Sequence, residues 1–222
     1  MKISKRFGLT LAGLLSIGLV QSAHAGLING SFEVPVFPPN SVNFPIEGAI
    51  PGWNTSATDN VIEVWHNFFG GVPAYDGEQF AELNANQVST LYQDVTGIAS
   101  GSIVGFQFAH RGRAGTDVMR FELTDFGANG VLGGGDDTQL FAQNYSDGNT
   151  AWGFYTGNGI VALGNTVRFS FISVSAAGGP TVGNFLDAAD FGVGVGNVPE
   201  PASLALLAIG LLGLGAKRRN KA

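Results

Sequence analysis

The sequence has 222 residues, no cysteine and a formal net charge of −6. Without cysteine, neither disulfides nor thiolate metal sites can stabilise the protein. Seven of its 11 lysine and arginine residues lie in the first 25 and last 25 positions, so residues 26–197 hold four arginines against 16 acidic residues, a formal charge of −12. Such a charge repels nucleic acids and anionic lipid surfaces, which excludes these two classes of partner.

The first 25 residues have the pattern of a secretory signal peptide. Three cations at positions 2, 5 and 6 precede an apolar segment over residues 7–20, and Ala23-His24-Ala25 fits a small-x-small cleavage site. Because the apolar segment is short and a cleavage motif follows it, a retained transmembrane helix is the weaker alternative. We therefore predict a signal peptide over residues 1–25 and an exported single domain over residues 26–197.

The core has the two-residue apolar alternation of β-strands. Met119, Phe121 and Leu123, for example, alternate with more polar or smaller residues. Turn-forming clusters of Gly, Asn, Asp or Pro separate most of these segments, and no long helical stripe occurs outside the two ends. This pattern predicts an all-β fold, an antiparallel β-sandwich or jelly roll. The predicted strands span residues 61–65, 79–83, 90–95, 103–110, 118–124, 139–144, 151–156, 166–174 and 185–195.

Six short motifs follow one another along the core. They are LINGSFE at 27–33, PGW at 51–53, IEV at 62–64, DGEQFAEL at 76–83, LYQDV at 91–95 and NFLD at 184–187. Their order and spacing resemble the galactose-binding-like jelly roll of many carbohydrate-binding modules. The resemblance implies the same fold, with NFLD in the closing strand.

Members of that family commonly hold a structural calcium ion between their first and last strands. The resemblance implies that Glu33 and Asp187 would bind this ion. Calcium is a hard cation that takes six to eight oxygen ligands, which an acidic exported domain can supply. The alternative is that both residues are ordinary strand-end carboxylates.

Aromatic side chains in predicted loops are candidates for stacking on the C–H face of a sugar, with arginines as hydrogen-bond donors. Phe68 and Phe69 are adjacent, so both rings cannot easily point inward. Trp53 and Trp152 lie among apolar neighbours and are predicted to be core residues. The predicted ligand-binding residues are Trp65, Phe68, Phe69, Tyr75, Arg111 and Arg113.

Catalytic motifs are absent from the sequence. It contains no G-x-S-x-G elbow, no H-E-x-x-H and no cysteine nucleophile. Glu78 and Glu82 would share one strand face about 13 Å apart, which is wide for a glycosidase pair. We interpret them as a solvated strand edge and predict that the protein is not an enzyme.

The last 25 residues combine three features. Val198, Pro199, Glu200 and Pro201 precede an apolar run over residues 202–216. As a helix the run would be about 22 Å long, shorter than the roughly 20 residues that usually span a bilayer. The flanking cations that follow it, as at the cytoplasmic end of a membrane helix, are Lys217, Arg218 and Arg219.

This tail resembles the PEP-CTERM sorting signal, found on exported proteins of Gram-negative bacteria that make extracellular polysaccharide. The resemblance implies processing near Pro-Glu-Pro by an exosortase-type membrane protease. Before processing, the short transmembrane helix 202–216 would anchor the protein in the membrane.

Together these features predict an exported, non-catalytic protein of the cell envelope, cell surface or extracellular matrix. Its predicted function is to bind or scaffold extracellular polysaccharide. The alternative is a structural surface protein that acts through protein contacts and has no glycan site.

Overall fold

A computed structural model describes residues 26–195, which form one antiparallel β-sandwich. The predicted signal peptide, the motif Val198-Pro199-Glu200-Pro201, the helix 202–216 and the cations at 217–219 lie outside the described residues. Within residues 26–195, no helix is both long and apolar enough to cross a membrane. Helical structure in this range consists of two short 3-10 turns, at Glu47–Ala49 and Phe69–Gly71.

The described residues contain two sheets. The six-stranded sheet has the order β1-β3-β4-β11-β6-β9 and the five-stranded sheet has the order β2-β5-β10-β7-β8. The strands are β1 (Val42–Asn43), β2 (Asn54–Thr55), β3 (Glu63–His66), β4 (Gln79–Glu82), β5 (Thr90–Thr96), β6 (Ile103–Arg111), β7 (Asp117–Asp125), β8 (Thr138–Asp147), β9 (Gly153–Val161), β10 (Thr166–Ser175) and β11 (Phe185–Val193).

The predicted all-β sandwich is confirmed, and each of the nine predicted strands corresponds to an observed one. Two strands were not predicted, β1 and β2, which are two residues long each. A two-residue strand cannot display an alternating pattern, so the sequence gives no signal for it.

The core between the sheets is rich in phenylalanine. Phe121 from one sheet packs against Phe106 and Phe108 from the other, with ring centroids 4.5 and 5.1 Å apart. Trp53 is buried as predicted and stacks on Phe32 at 4.7 Å. Full burial of one such side chain contributes about 1.5–3 kcal/mol, so these rings fix how the two sheets face each other.

Backbone N–H groups, rather than cationic side chains, solvate several buried carboxylates of this arginine-poor domain. Asp117 accepts hydrogen bonds from the N–H groups of Arg113, Ala177 and Asn184 at 2.7–2.9 Å. Asp125 likewise accepts three, from residues 127, 163 and 164. Each of these carboxylates thereby ties two or more loops to a strand end.

His110 connects the two sheets at one end of the sandwich. Its Nδ1 lies 2.6 Å from Asp147 of β8 and its Nε2 lies 3.0 Å from the side-chain oxygen of Asn184. The Tyr155 hydroxyl also donates to Asp147. Burial alone would raise the pKa of Asp147, but the hydrogen bonds from His110 and Tyr155 hold it below its usual value. This network fixes the connection from β8 in one sheet to β9 in the other, and β9 carries a residue of the candidate site.

Candidate functional site

The outer face of the six-stranded sheet carries an aromatic cluster. Trp65, Phe80 and Phe185 come from β3, β4 and β11, and they alternate along these strands with residues of the central core. Their ring centroids lie 4.9–6.0 Å apart. Phe69 packs edge-on against Trp65 at 4.9 Å and Trp152 packs edge-on against Phe80 at 5.4 Å. The cluster holds the loop between β3 and β4, residues 67–78, against the sheet.

Asp187 of β11 fixes the middle of the 67–78 loop. Its Oδ2 accepts the N–H groups of Tyr75 and Asp76 at 2.8 and 2.9 Å, and its Oδ1 accepts that of Ala188. The carboxyl is fully buried, and this burial raises its pKa to about 8. The position of Tyr75 therefore depends on one buried carboxyl group.

Glu33 fixes the end of the same loop. Its Oε1 accepts the N–H groups of Glu78 and Gln79 at 2.7 and 2.8 Å. Gly77 lies directly against the Glu33 carboxylate, and a Cβ at this position would overlap it. The backbone of Gly77 also has a φ of +64°, so a glycine is required here for two reasons.

The two predicted calcium ligands, Glu33 and Asp187, thus bind one loop from two sides. Their observed partners are five backbone N–H groups. Among residues 26–195, no group of three or more His, Cys, Asp or Glu side chains is arranged to hold a metal ion. A calcium ion at these two carboxylates would have to take its remaining ligands from carbonyl, hydroxyl or water oxygens, which are ordinary calcium ligands.

A cleft of about 510 Å³ opens beside the loop. Tyr75 from the loop and Phe154 from β9 line it, and their rings are stacked with centroids 5.3 Å apart and planes 7° apart. Tyr75 is 43% exposed and Phe154 is 44% exposed, so both rings are accessible to a ligand. Trp152 supports Tyr75 edge-on at 6.3 Å.

Polar side chains complete the cleft. Gln107 of β6 and Asp190 of β11 are paired in register, so their side chains share the outer face. Asp76 accepts a hydrogen bond from the Ser31 hydroxyl at 2.7 Å, and both residues line the cleft. Exposed aromatic rings beside amide and carboxylate groups are the chemistry that binds sugar hydroxyls and C–H faces.

Gly30 explains how the N-terminal segment reaches the cleft. A Cβ at Gly30 would overlap the backbone carbonyl of Ala189 in β11. Because Gly30 has no side chain, its backbone lies close enough to β11 for its carbonyl to accept a hydrogen bond from the Ala189 N–H at 3.0 Å. The segment thus forms one side of the cleft.

A buried pair of glutamates lies beside the aromatic cluster, on the same face of the sheet. Glu63 and Glu82 are directly opposite on β3 and β4. Nη1 of Arg113 lies 3.0 and 2.9 Å from the two Glu82 oxygens and 3.9 Å from Glu63. Burial raises the pKa of both carboxyls, that of Glu82 to about 8. One guanidinium cannot balance two buried carboxylates, so the pair favours holding a proton.

The four aromatic residues predicted to bind a ligand differ in exposure and in their position relative to the cleft. Tyr75 lies in the cleft. Phe68 is 64% exposed but does not line the cleft. Trp65 is only 4% exposed, covered by Phe69 and by the Arg113 guanidinium 4.7 Å from its ring centroid. The ring faces of Trp65 are thus used inside the protein, which corrects the expectation that it lies at the surface.

The two predicted arginine donors are also engaged within the protein. Arg111 is buried, which lowers its pKa, and it donates to the carbonyl of Asn149. Arg113 donates to Glu82 and covers Trp65. Neither arginine lines the cleft, because both fix neighbouring loops instead.

Sequence reasoning missed Phe154, Gln107 and Asp190. Phe154 lies within a predicted strand and is followed directly by another aromatic residue, Tyr155, so the two rings point to opposite faces of the sheet. Alternation alone could not show which of the two rings points outward. Phe108 lies in the core, so the adjacent Ala109 and its cross-strand partner Phe154 face outward, but this pairing is known only from the structure.

A second depression, of about 470 Å³, lies near the turn Glu47–Ala49. Its aromatic residue, Trp53, is 2% exposed and is already stacked on Phe32. This depression therefore offers no open ring to a sugar.

Comparison with solved structures finds similar folds among carbohydrate-binding modules. TmCBM61 in complex with β-1,4-galactotriose has 16% identity and a TM-score of 0.46, and the match covers 74% of this chain and 95% of that one. The CBM22-1 xylan-binding domain of Paenibacillus barcinonensis Xyn10C has 13% identity and a TM-score of 0.48, covering 70% and 94%. The C-terminal family 22 module of Clostridium thermocellum Xyn10B has 13% identity and a TM-score of 0.47, covering 77% and 98%.

No curated protein matches the sequence. The C-terminal segment is identified independently of the fold. Residues 197–219 match the family model of the PEP-CTERM protein-sorting motif, which confirms the resemblance noted in the sequence. The chain carries this motif, and the motif is that of an exported protein of the cell envelope.

Proposed function

We propose that the protein binds extracellular polysaccharide without catalysis, through the cleft beside the 67–78 loop. The observation that carries this proposal is the exposed, stacked pair of Tyr75 and Phe154 in a cleft of about 510 Å³. This volume lies within the range of roughly 300–1,000 Å³ that is usual for ligand sites. The protein is exported and holds the glycan at the envelope or in the extracellular matrix.

The chemistry of the cleft supports a sugar ligand. The outer edge and face of the aromatic pair can pack on the apolar C–H surface of a pyranose ring. Gln107 can both donate and accept a hydrogen bond, whereas Asp76 and Asp190 accept from hydroxyl groups. Binding through a few such contacts on a pre-formed surface requires no catalytic group.

The C-terminal motif supports the route to this location. In our proposal an exosortase-type membrane protease of a Gram-negative bacterium processes the chain near Pro199-Glu200-Pro201. Before that step, the helix over residues 202–216 anchors the chain in the membrane, with the cations that follow it on the cytoplasmic side.

Calcium binding at Glu33 and Asp187 is part of the same proposal. The ion would compensate the buried charge of Asp187 and hold the 67–78 loop. A thermal melt of the full chain with calcium and with chelator tests it, because a ligand that binds the folded state raises the midpoint. An unchanged midpoint would reject the site.

Affinity electrophoresis of the purified full chain tests the proposed function. The gel contains the extracellular polysaccharide of the producing cells. We expect the wild type to be retarded and Phe154→Ala to run as in a gel without polysaccharide. Phe68→Ala is the matched control, because Phe68 is an exposed phenylalanine outside the cleft. Equal retardation of the wild type and Phe154→Ala would place the site elsewhere.

A structural surface role remains the second candidate because of the edge strand β9. Gly153–Val161 forms one edge of the six-stranded sheet and contains no charged residue. An edge strand without charged residues can add a further strand to the sheet. Under this alternative, sedimentation would reveal concentration-dependent association, and no variant in the cleft would change a glycan interaction.

A further inference from the structure

Negative charge lies on two sides of the cleft. Asp76 belongs to the 67–78 loop, and Asp190 belongs to β11 next to Gln107 of β6. Each carboxylate already accepts a hydrogen bond within the protein, from the Ser31 hydroxyl and from the N–H of Phe191 respectively. Both side chains are therefore held in place where a ligand would enter.

The described residues offer no cation to balance these charges. Residues 26–195 contain no lysine, and their four arginines are all paired with acceptors outside the cleft. Arg111 bonds to the carbonyl of Asn149, and the other three form ion pairs, Arg113 with Glu82, Arg120 with Glu122 and Arg168 with Asp94. An anionic sugar in the cleft would meet carboxylates and no compensating side chain from this part of the chain.

We propose that Asp76 and Asp190 are specificity-determining residues that restrict the cleft to glycans without carboxylate, sulfate or phosphate groups. This inference rests on the proposed function. Like charges repel more strongly beside a protein surface than in bulk water, because the local dielectric constant is lower. The formal charge of −12 over residues 26–197 adds long-range repulsion. Specificity by repulsion of the wrong ligand is a common device in recognition.

The test uses pairs of polysaccharides that differ only in charge. Galactan, mannan, β-1,3-glucan and hydroxyethyl cellulose are each used as such and after oxidation of their primary hydroxyls to carboxylates. Retardation of the full chain is measured in gels of all eight at low ionic strength, where charge repulsion is least screened. We expect at least one neutral polymer to retard the protein, and its oxidised partner to bind at least about ten-fold more weakly.

The double variant Asp76→Asn/Asp190→Asn separates charge from shape. Asparagine keeps an oxygen that can accept the hydrogen bonds from Ser31 and from the Phe191 N–H. We expect this variant to bind the oxidised polymer nearly as well as the neutral one. The control, Asp59→Asn/Asp136→Asn, changes the net charge equally at two exposed residues outside the cleft and should discriminate as the wild type does.

The outcomes distinguish this inference from the proposed function. Equal binding of a neutral polymer and its oxidised partner by the wild type would overturn the inference alone. An unchanged preference in the cleft variant, or a change of the same size in the control, would also overturn it. Absence of binding to every neutral polymer would overturn the inference, whereas the proposed function is overturned separately, by unchanged mobility in the gel that contains the polysaccharide of the producing cells.

Discussion

The buried pair of Glu63 and Glu82 predicts that the protein loses stability as the pH rises. Burial is the largest cause that raises the pKa of Glu82 from 4.5 to about 8, and repulsion from Glu63 adds to it. The folded state thus keeps a proton that the unfolded state releases above pH 4.5. By linkage, the stabilisation is fully present below pH 4.5 and is lost progressively up to about pH 8.

The size of the effect follows from the shift. Each pKa unit corresponds to about 1.36 kcal/mol. A change from 4.5 to about 8 therefore gives a loss of up to about 5 kcal/mol for Glu82 across this window. Arg113 is partly exposed and can adjust as Glu82 ionises, so we expect a measured loss of about 2–4 kcal/mol.

Glu82→Gln tests this mechanism. The glutamine oxygen can still accept from Arg113 and from the Gly183 N–H, while its N–H₂ group can donate to Glu63. Urea unfolding gives the free energy of unfolding at several values between roughly pH 5 and pH 8. We expect a clearly flatter profile for Glu82→Gln than for the wild type, and a more stable variant at the alkaline end.

Glu78→Gln is the matched control, because Glu78 lies in the same segment but is exposed. Its profile should run parallel to that of the wild type. Chelator in all samples keeps calcium binding out of the comparison. Parallel profiles of Glu82→Gln and the wild type would refute the argument that Glu82 carries the protonation.

Two further substitutions test the fold and the loop. Gly77→Ala should lower the free energy of unfolding by about 1–3 kcal/mol, because it strains a positive φ and displaces Glu33. Gly71 also has a positive φ but has no atom near its Cβ position, so Gly71→Ala measures the cost of the backbone strain alone in the same urea titration. Phe121→Ala should cost about 3–5 kcal/mol by leaving a cavity between the sheets. A cost for Phe121→Ala no larger than that of the exposed Phe68→Ala would contradict the assigned core.

The strands could be predicted from the sequence because burial on one face leaves a two-residue pattern. In β7, Met119, Phe121 and Leu123 are buried and alternate with half-buried residues, as the sequence indicated. The site could not be predicted equally well, since Trp65 and Phe154 both lie on the outer face. Which of them is exposed depends on the loop that covers Trp65 and leaves Phe154 open.

The sequence also could not show which acidic side chains are buried and which are exposed. Glu82 was interpreted as part of a solvated strand edge, but the structure buries it against Glu63 and Arg113, so that interpretation was wrong. Glu78, interpreted in the same way, is indeed exposed. Partners such as Arg113 come from distant strand ends, and no local pattern reports their approach.

Asp187 links the stability of the domain to its proposed ligand site. Asp187 and Asp117 are both fully buried, and each accepts hydrogen bonds from three backbone N–H groups. Substitution by asparagine leaves part of either carboxylate's hydrogen bonding unmatched, so both variants should lose about 1–3 kcal/mol of stability. Only Asp187, however, holds the N–H groups of Tyr75 and Asp76 in the cleft.

We therefore expect Asp187→Asn to weaken glycan binding by about ten-fold, since small displacements of Tyr75 disturb its stack with Phe154. Asp117→Asn should lose stability but keep the wild-type affinity, as measured by retardation of the full chain in polysaccharide gels. Equal weakening by both variants would mean that affinity follows overall stability. Weakening by Asp187→Asn alone means that this buried carboxyl positions the aromatic pair through its hydrogen bonds to the N–H groups of Tyr75 and Asp76.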